Sequence, residues 1–143
     1  MKNFYTALMT LFNKTTGGVH NSFWLDIGGR LYNTRAPEGS ALPYCVFLHV
    51  AANPDDTFTE KMDEILLQFS IFSGTQDDDT EVQNAMTHLK ALFDDCSLSI
   101  TGGTLVTFTR GAEGLEAEDF ETPGGMQSGW HYHVDYHATV RKV

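Results

Sequence analysis

Basic residues are scarce in this chain. Nine Lys and Arg stand against nineteen Asp and Glu, a formal net charge of −10 over 143 residues. A surface of that sign repels phosphate, which argues against binding DNA by broad charge attraction. Cysteine is nearly absent too. Cys45 and Cys96 are far apart and outside any C-x-x-C spacing, which favours buried thiols in a reducing compartment and leaves a disulfide between them open. No apolar run reaches the roughly eighteen residues of a membrane span, and residues 1–14 mix polar with apolar positions and offer no small-residue cleavage site. The expectation is a soluble chain that is not exported and has no membrane partner.

Catalytic signatures are missing as well. Gly28-Gly29, Gly102-Gly103 and Gly124-Gly125 have neither the G-x-G-x-x-G nor the G-K-[ST] context of a phosphate loop, and there is no G-x-S-x-G setting for a nucleophile. The acid clusters Asp55-Asp56, Asp77 to Asp79 and Asp94-Asp95 fall at turns and helix ends, where Asp serves capping and solvation. Nothing in the sequence places them in an apolar pocket that would raise a carboxyl for acid-base work. The reading is a non-enzyme with no cofactor.

What the chain does have is material for a core. It is 41% hydrophobic, with ten Phe, five Tyr and two Trp, and its length suits one domain over residues 1–143. Residues 30–50 organise the rest: a short strand at Leu31-Tyr32, a Pro37/Gly39 corner, then a strand opened by Pro43. Along that strand Tyr44, Val46, Leu48 and Val50 alternate with Cys45, Phe47, His49 and Ala51. The more apolar set, led by Tyr44, is assigned to the core.

Upstream, Phe4, Leu8, Leu11 and Phe12 make one stripe of a helix that ends near residues 13–18, where Thr-Thr-Gly-Gly breaks it. Residues 21–29 carry aromatics without a period and read as a connector. Downstream, Asn53-Pro54-Asp55-Asp56 signals a turn, and residues 61–72 form a strand with Ile65, Leu67, Phe69 and Ile71 on one face. Asp78 and Glu81 have capping-box spacing ahead of a helix whose apolar face is Val82, Ala85, Met86, Leu89, Leu92 and Phe93. Residues 97–100 read as a short strand or lead-in, 104–110 as a strand, and 130–140 as the last strand, with Trp130, Tyr132, Val134, Tyr136, Ala138 and Val140 on one side. The predicted fold is α+β: an antiparallel sheet with two helices packed on one face, plus a long acidic loop before the last strand.

The N-terminal helix, the R…P-x-G-x-x-L-P-Y-x-V corner of Arg30 to Val46, the acid-capped helix and the aromatic last strand ending in Arg141-Lys142 together resemble the tail-completion proteins of long-tailed bacteriophages. The resemblance spans nearly the whole chain; residues 21–29 and 111–129 depart from it. It implies a structural virion protein that caps the tail tube as a ring of six subunits, stops tail polymerisation and forms the head-joining surface. The implied partners are other copies, the major tail tube protein and the head-completion protein. DNA would pass through the lumen without sequence-specific binding. The implied location is the head-proximal end of the tail, after assembly in the host cytoplasm.

Two further features bear on function. His131, His133 and His137 share one face of the last strand with Asp135, and His49 is a further histidine on a neighbouring strand, so a metal-dependent enzyme or binding protein is the alternative reading. A polar, solvated sheet face accounts for the same pattern and is preferred. Residues 111–129 contain Glu113, Glu116, Glu118, Asp119 and Glu121, five glycines and no Lys or Arg. They are expected to be mobile in the free subunit and to order on assembly, with Leu115 and Phe120 as interface anchors and Glu116, Glu118 and Asp119 among the contacting carboxylates.

Overall fold

The computed structural model describes residues 2–54, 61–74, 78–122 and 124–142. Helix α1 (Lys2–Asn13) is followed by a two-stranded hairpin, β1 (Thr15–Thr16) and β2 (Val19–His20), and a short helix α2 (Ser22–Asp26). Then come β3 (Leu31–Asn33), β4 (Tyr44–Pro54), β5 (Met62–Ser73), α3 (Thr80–Phe93), β6 (Gly103–Thr122) and β7 (Gly125–Lys142). The main sheet has the order β3-β4-β5-β7-β6. The α+β class is as expected, but the described residues form three helices, and the sheet is mixed.

The mixed character comes from β3, which runs parallel to β4 with Leu31 opposite Cys45. The Pro/Gly corner implied a reversal and hence an antiparallel pair. Parallel neighbours usually need a dozen or more connecting residues, but a three-residue strand rises only about 10 Å, so a ten-residue link can return the chain to its start.

The core lies between one face of this sheet and the helices. Ile65, Leu67, Phe69 and Ile71 of β5 and Tyr132, Val134, Tyr136 and Ala138 of β7 are buried, as the alternation predicts. On β4 the expected phase is reversed: Cys45 and Phe47 are buried, whereas Tyr44 and Val46 are half-buried and Leu48 and Val50 are exposed. Alternation fixes which residues share a face, not which face turns inward; here the ladder decides, setting Phe47 opposite Phe69 and Cys45 opposite Ile71. Phe93 of α3 stacks on Phe69 with ring centroids 4.8 Å apart, and Phe4 of α1 reaches Phe108 at 6.3 Å.

Several local readings change. The Thr-Thr-Gly-Gly run ends α1, and Gly17 and Gly18, at φ 60° and 80°, also supply the two left-handed positions of the turn between β1 and β2. Residues 21–29 are a helical turn capped by Asn21, whose Oδ1 accepts from the Trp24 N–H at 2.8 Å, and Phe23 and Ile27 enter the core. The capping box does not form: Asp78 accepts from the Thr80 N–H at 2.8 Å, while Glu81 accepts from the Ser73 hydroxyl at 2.6 Å. Residues 96–100 have no regular secondary structure, and β4 continues through Pro54; Asp55, Asp56 and Asp77 lie outside the described residues.

Cys45 and Cys96 are both free thiols. Burial pushes the Cys96 thiol up to about 11 and Cys45 higher still. At pH 8 only about one Cys96 in a thousand is then thiolate, the reactive form. Iodoacetamide should label neither cysteine appreciably in the native chain within minutes and both after denaturation, as read by intact mass. Rapid native labelling of Cys96 would contradict its placement.

Candidate assembly surface

Residues 111–122 and 124–129 do not form a long loop. β6 and β7 pair along their whole length, from Gly103 opposite Lys142 to Thr122 opposite Gly125, and the segment is the outer half of this hairpin. Its glycines were the misleading signal. A Cβ at Gly129 would lie 2.0 Å from the Ser73 carbonyl oxygen, and one at Gly114 would lie 2.7 Å from His133 Nε2. These are places where a neighbour sits against bare backbone. Beyond the Ser73–Trp130 pair β5 ends, and the two strands continue as a ribbon.

Register assigns the ribbon's side chains to faces, since directly opposite residues share one. Leu115, opposite Tyr132, lies on the core side and packs against the core. Asp119 opposite Ser128 and Glu121 opposite Met126 continue that side outward, and Met126 is 70% exposed. Phe120, opposite Gln127, points to the other side and meets Phe72 edge-on at 5.8 Å. The five sequence-chosen interface residues are therefore divided: Leu115 and Asp119 on the core side, Glu116, Glu118 and Phe120 on the open side.

The open side of the sheet carries an aromatic row. Tyr32, Tyr44 and Phe72 follow at 6.0 and 5.2 Å, and Phe72 stacks on His131 at 4.4 Å. The β3–β4 link arches beside them, and with Phe120 it encloses a groove of about 680 Å³ walled by Arg35, Leu42, Tyr44, Val46 and Phe72. The half-buried Tyr44 thus belongs to a surface groove.

The histidines on this face do not gather into one site. His131 and His133 have ring centroids 5.9 Å apart, His137 is exposed, and His49 is on the core side of β4, 6.5 Å from Tyr5. What converges instead is His131 Nδ1 with Glu118 at 2.7 Å and Glu116 at 3.6 Å. Among the described residues this is the one set of three groups within ligand reach of a common point. Glu116 and Glu118 stand on the ribbon surface, and the arrangement is that of a cross-strand polar side-chain pair.

A polar network under the hairpin escaped the sequence reading. Glu113 accepts from Arg110 at 2.6 Å and Lys90 at 3.2 Å, Arg110 reaches Asp94 at 3.3 Å, and Tyr136 donates to Asp94 at 2.6 Å. Burial works to raise the Glu113 carboxyl, but the hydrogen bonds from Arg110 and Lys90 outweigh it and hold the group below its usual range. Burial, then Asp94, lifts the Tyr136 hydroxyl far above its ordinary value, so it stays a donor. The network ties the hairpin to α3; Asp94, Glu113 and Tyr136 each stood out in the sequence for another reason, but nothing there joined them to Lys90 and Arg110.

The family model of tail completion protein gp17 matches residues 26–141. Among solved structures, the chain is similar in fold to a chain of the virion of a native gene transfer agent particle. The TM-score is 0.64 at 13% identity, over 95% of this chain and 92% of that one. No curated protein matches. The chain belongs to the tail completion protein gp17 family, structural proteins of the phage tail that are built into the virion with other phage structural proteins.

Proposed function

We propose that this chain, as a single domain over residues 1–143, caps the tail tube as a ring of six, ends its polymerisation and presents the surface on which the head's completion protein docks. Its partners in this role are its own copies, the major tail tube protein and the head-completion protein, at the head-proximal end of the tail after assembly in the host cytoplasm. The observation that carries the reading is the pair of free sheet edges. β3 and β6 lie at opposite ends of the sheet, and each has an outer edge unpaired among the described residues. Unlike edges at opposite ends suit head-to-tail contact, the kind that closes into rings. The net charge of −10 suits a conduit through which DNA passes without sticking. Glu116, Glu118 and Phe120 on the open side, and Leu115 and Asp119 on the core side, serve as contacts to copies or to the tube.

The test is omission. Tube protein polymerised with its length ruler but without this chain should give tails longer than normal that do not join filled heads. Adding the purified chain should restore uniform length and joining. Normal tails and infectious particles in its absence would overturn the proposal.

A further inference from the structure

The two ends of the sheet differ in charge as well as in sequence. Between α1 and the outer edge of β3 runs a groove of about 990 Å³, floored by Tyr5, Met9, Leu31 and Phe47 and flanked by Lys2 and Lys14. None of its lining residues is acidic, in a chain with more than twice as many acids as bases. Among the described residues neither lysine makes an ion pair. At the far end of the sheet, residues 111–129 carry five acids and no Lys or Arg. On the core side of the ribbon Asp119 and Glu121 stand with Met126, the most exposed large hydrophobic residue among the described residues.

We infer that the groove between α1 and β3 receives the distal β6–β7 ribbon of a second copy of this chain, with Met126 on the apolar floor and Asp119 and Glu121 against Lys2 and Lys14. The match cannot be made within one molecule: five strands at about 4.8 Å spacing put the two edges about 19 Å apart. Each copy then offers one ribbon and one groove, and contact repeats in one direction around a ring. The burial of Met126 supplies attraction, and the acid-lysine pairing sets register and excludes the reversed docking. This inference rests on the ring proposed above and names the surfaces that close it.

The test uses full-length chains added to cognate tail tubes. Lys2→Glu with Lys14→Glu in one chain, or Asp119→Lys with Glu121→Lys in another, should each cut ring-capped tube ends by about tenfold or more, since like charges then face each other. Mixing the two variants in equal amounts should restore capping, because an alternating ring of even number pairs every groove with a matching ribbon. Circular dichroism like that of the natural chain confirms that each variant is folded. Independently, Met9→Cys with Met126→Cys in a Cys96→Ser chain should oxidise to a ladder of linked multimers on tubes. Rings that form equally with the reversed charges, or an absent ladder where rings are seen, would overturn this docking and leave the ring reading standing. Failure of the natural chain to form rings on tubes would overturn both.

Discussion

Phe93→Ala is expected to destabilise the chain by about 3–5 kcal/mol, the range for a large aromatic removed from a packed core. Phe93 is fully buried at the end of α3, and its ring meets Phe69 at 4.8 Å, Phe23 at 6.2 Å, Phe108 at 6.3 Å and Tyr136 at 6.4 Å. Those neighbours come from α2, β5, β6 and β7, so the cavity opens where four elements meet and no one of them can collapse to fill it. A domain of this size should lose about 2–4 °C of melting temperature per kcal/mol. Tyr44→Ala makes the contrast: its ring lines the open groove, so its cost should be clearly smaller than that of Phe93→Ala, as read by denaturant unfolding. Equal losses at the two positions would mean that the phase of β4 is wrong.

Replacing residues 118–129 by an Asn-Gly turn is expected to leave a folded chain that cannot cap tubes. Ala117 and Trp130 are directly opposite, so a two-residue turn closes the shortened hairpin there. The cut spares Glu113, which anchors Arg110 and Lys90, and Leu115, which packs on the core. It removes the Phe120–Phe72 contact, the Glu118–His131 contact and the Gln127 hydrogen bond to the Gly74 carbonyl. Stability should therefore fall by about 1–2 kcal/mol, within the ordinary range for single-site losses. Capping, read as the fraction of tails of normal length, should disappear. Normal tail lengths with this variant would show that the ribbon is dispensable.

Much of this fold was legible from period alone. Ile65, Leu67, Phe69 and Ile71, Tyr132 to Val140 on the inward face of β7, and Val82, Ala85, Leu89 and Phe93 of α3 are buried as read, with Met86, Leu92 and Trp130 half-buried beside them, because each element has one face much more apolar than the other. β4 was not legible in that way. Tyr44, Val46, Leu48 and Val50 are the more apolar set, yet Cys45 and Phe47 of the other set face inward, and pairing with β5 selects between them. Residues 111–129 failed for a different reason. Acids and glycines are poor strand formers locally, and the ribbon is held by partners on β7, as where His131 pairs with Glu116 and Glu118. The parallel β3–β4 pair was hidden because a Pro/Gly corner marks a change of direction without saying how far the chain then travels. For the surface, the sequence showed which residue types stand on the ribbon, but not that they split between two sides.

The groove between α1 and β3 left no trace in the reading of single elements, since its walls come from residues near 2–15 and 31–47 and meet only in the folded chain. Its significance lies in being locally basic on an acidic molecule. A charge imbalance of that kind becomes visible only once a surface is known.

The claim that the chain is a ring-forming cap is tested most directly by imaging tails assembled with it and averaging the tube end that faces the head. The expected result is a closed ring of six copies seated on the last tube ring, coaxial with an open lumen. A tube end bearing a single copy, or a ring located elsewhere along the tail, would contradict it.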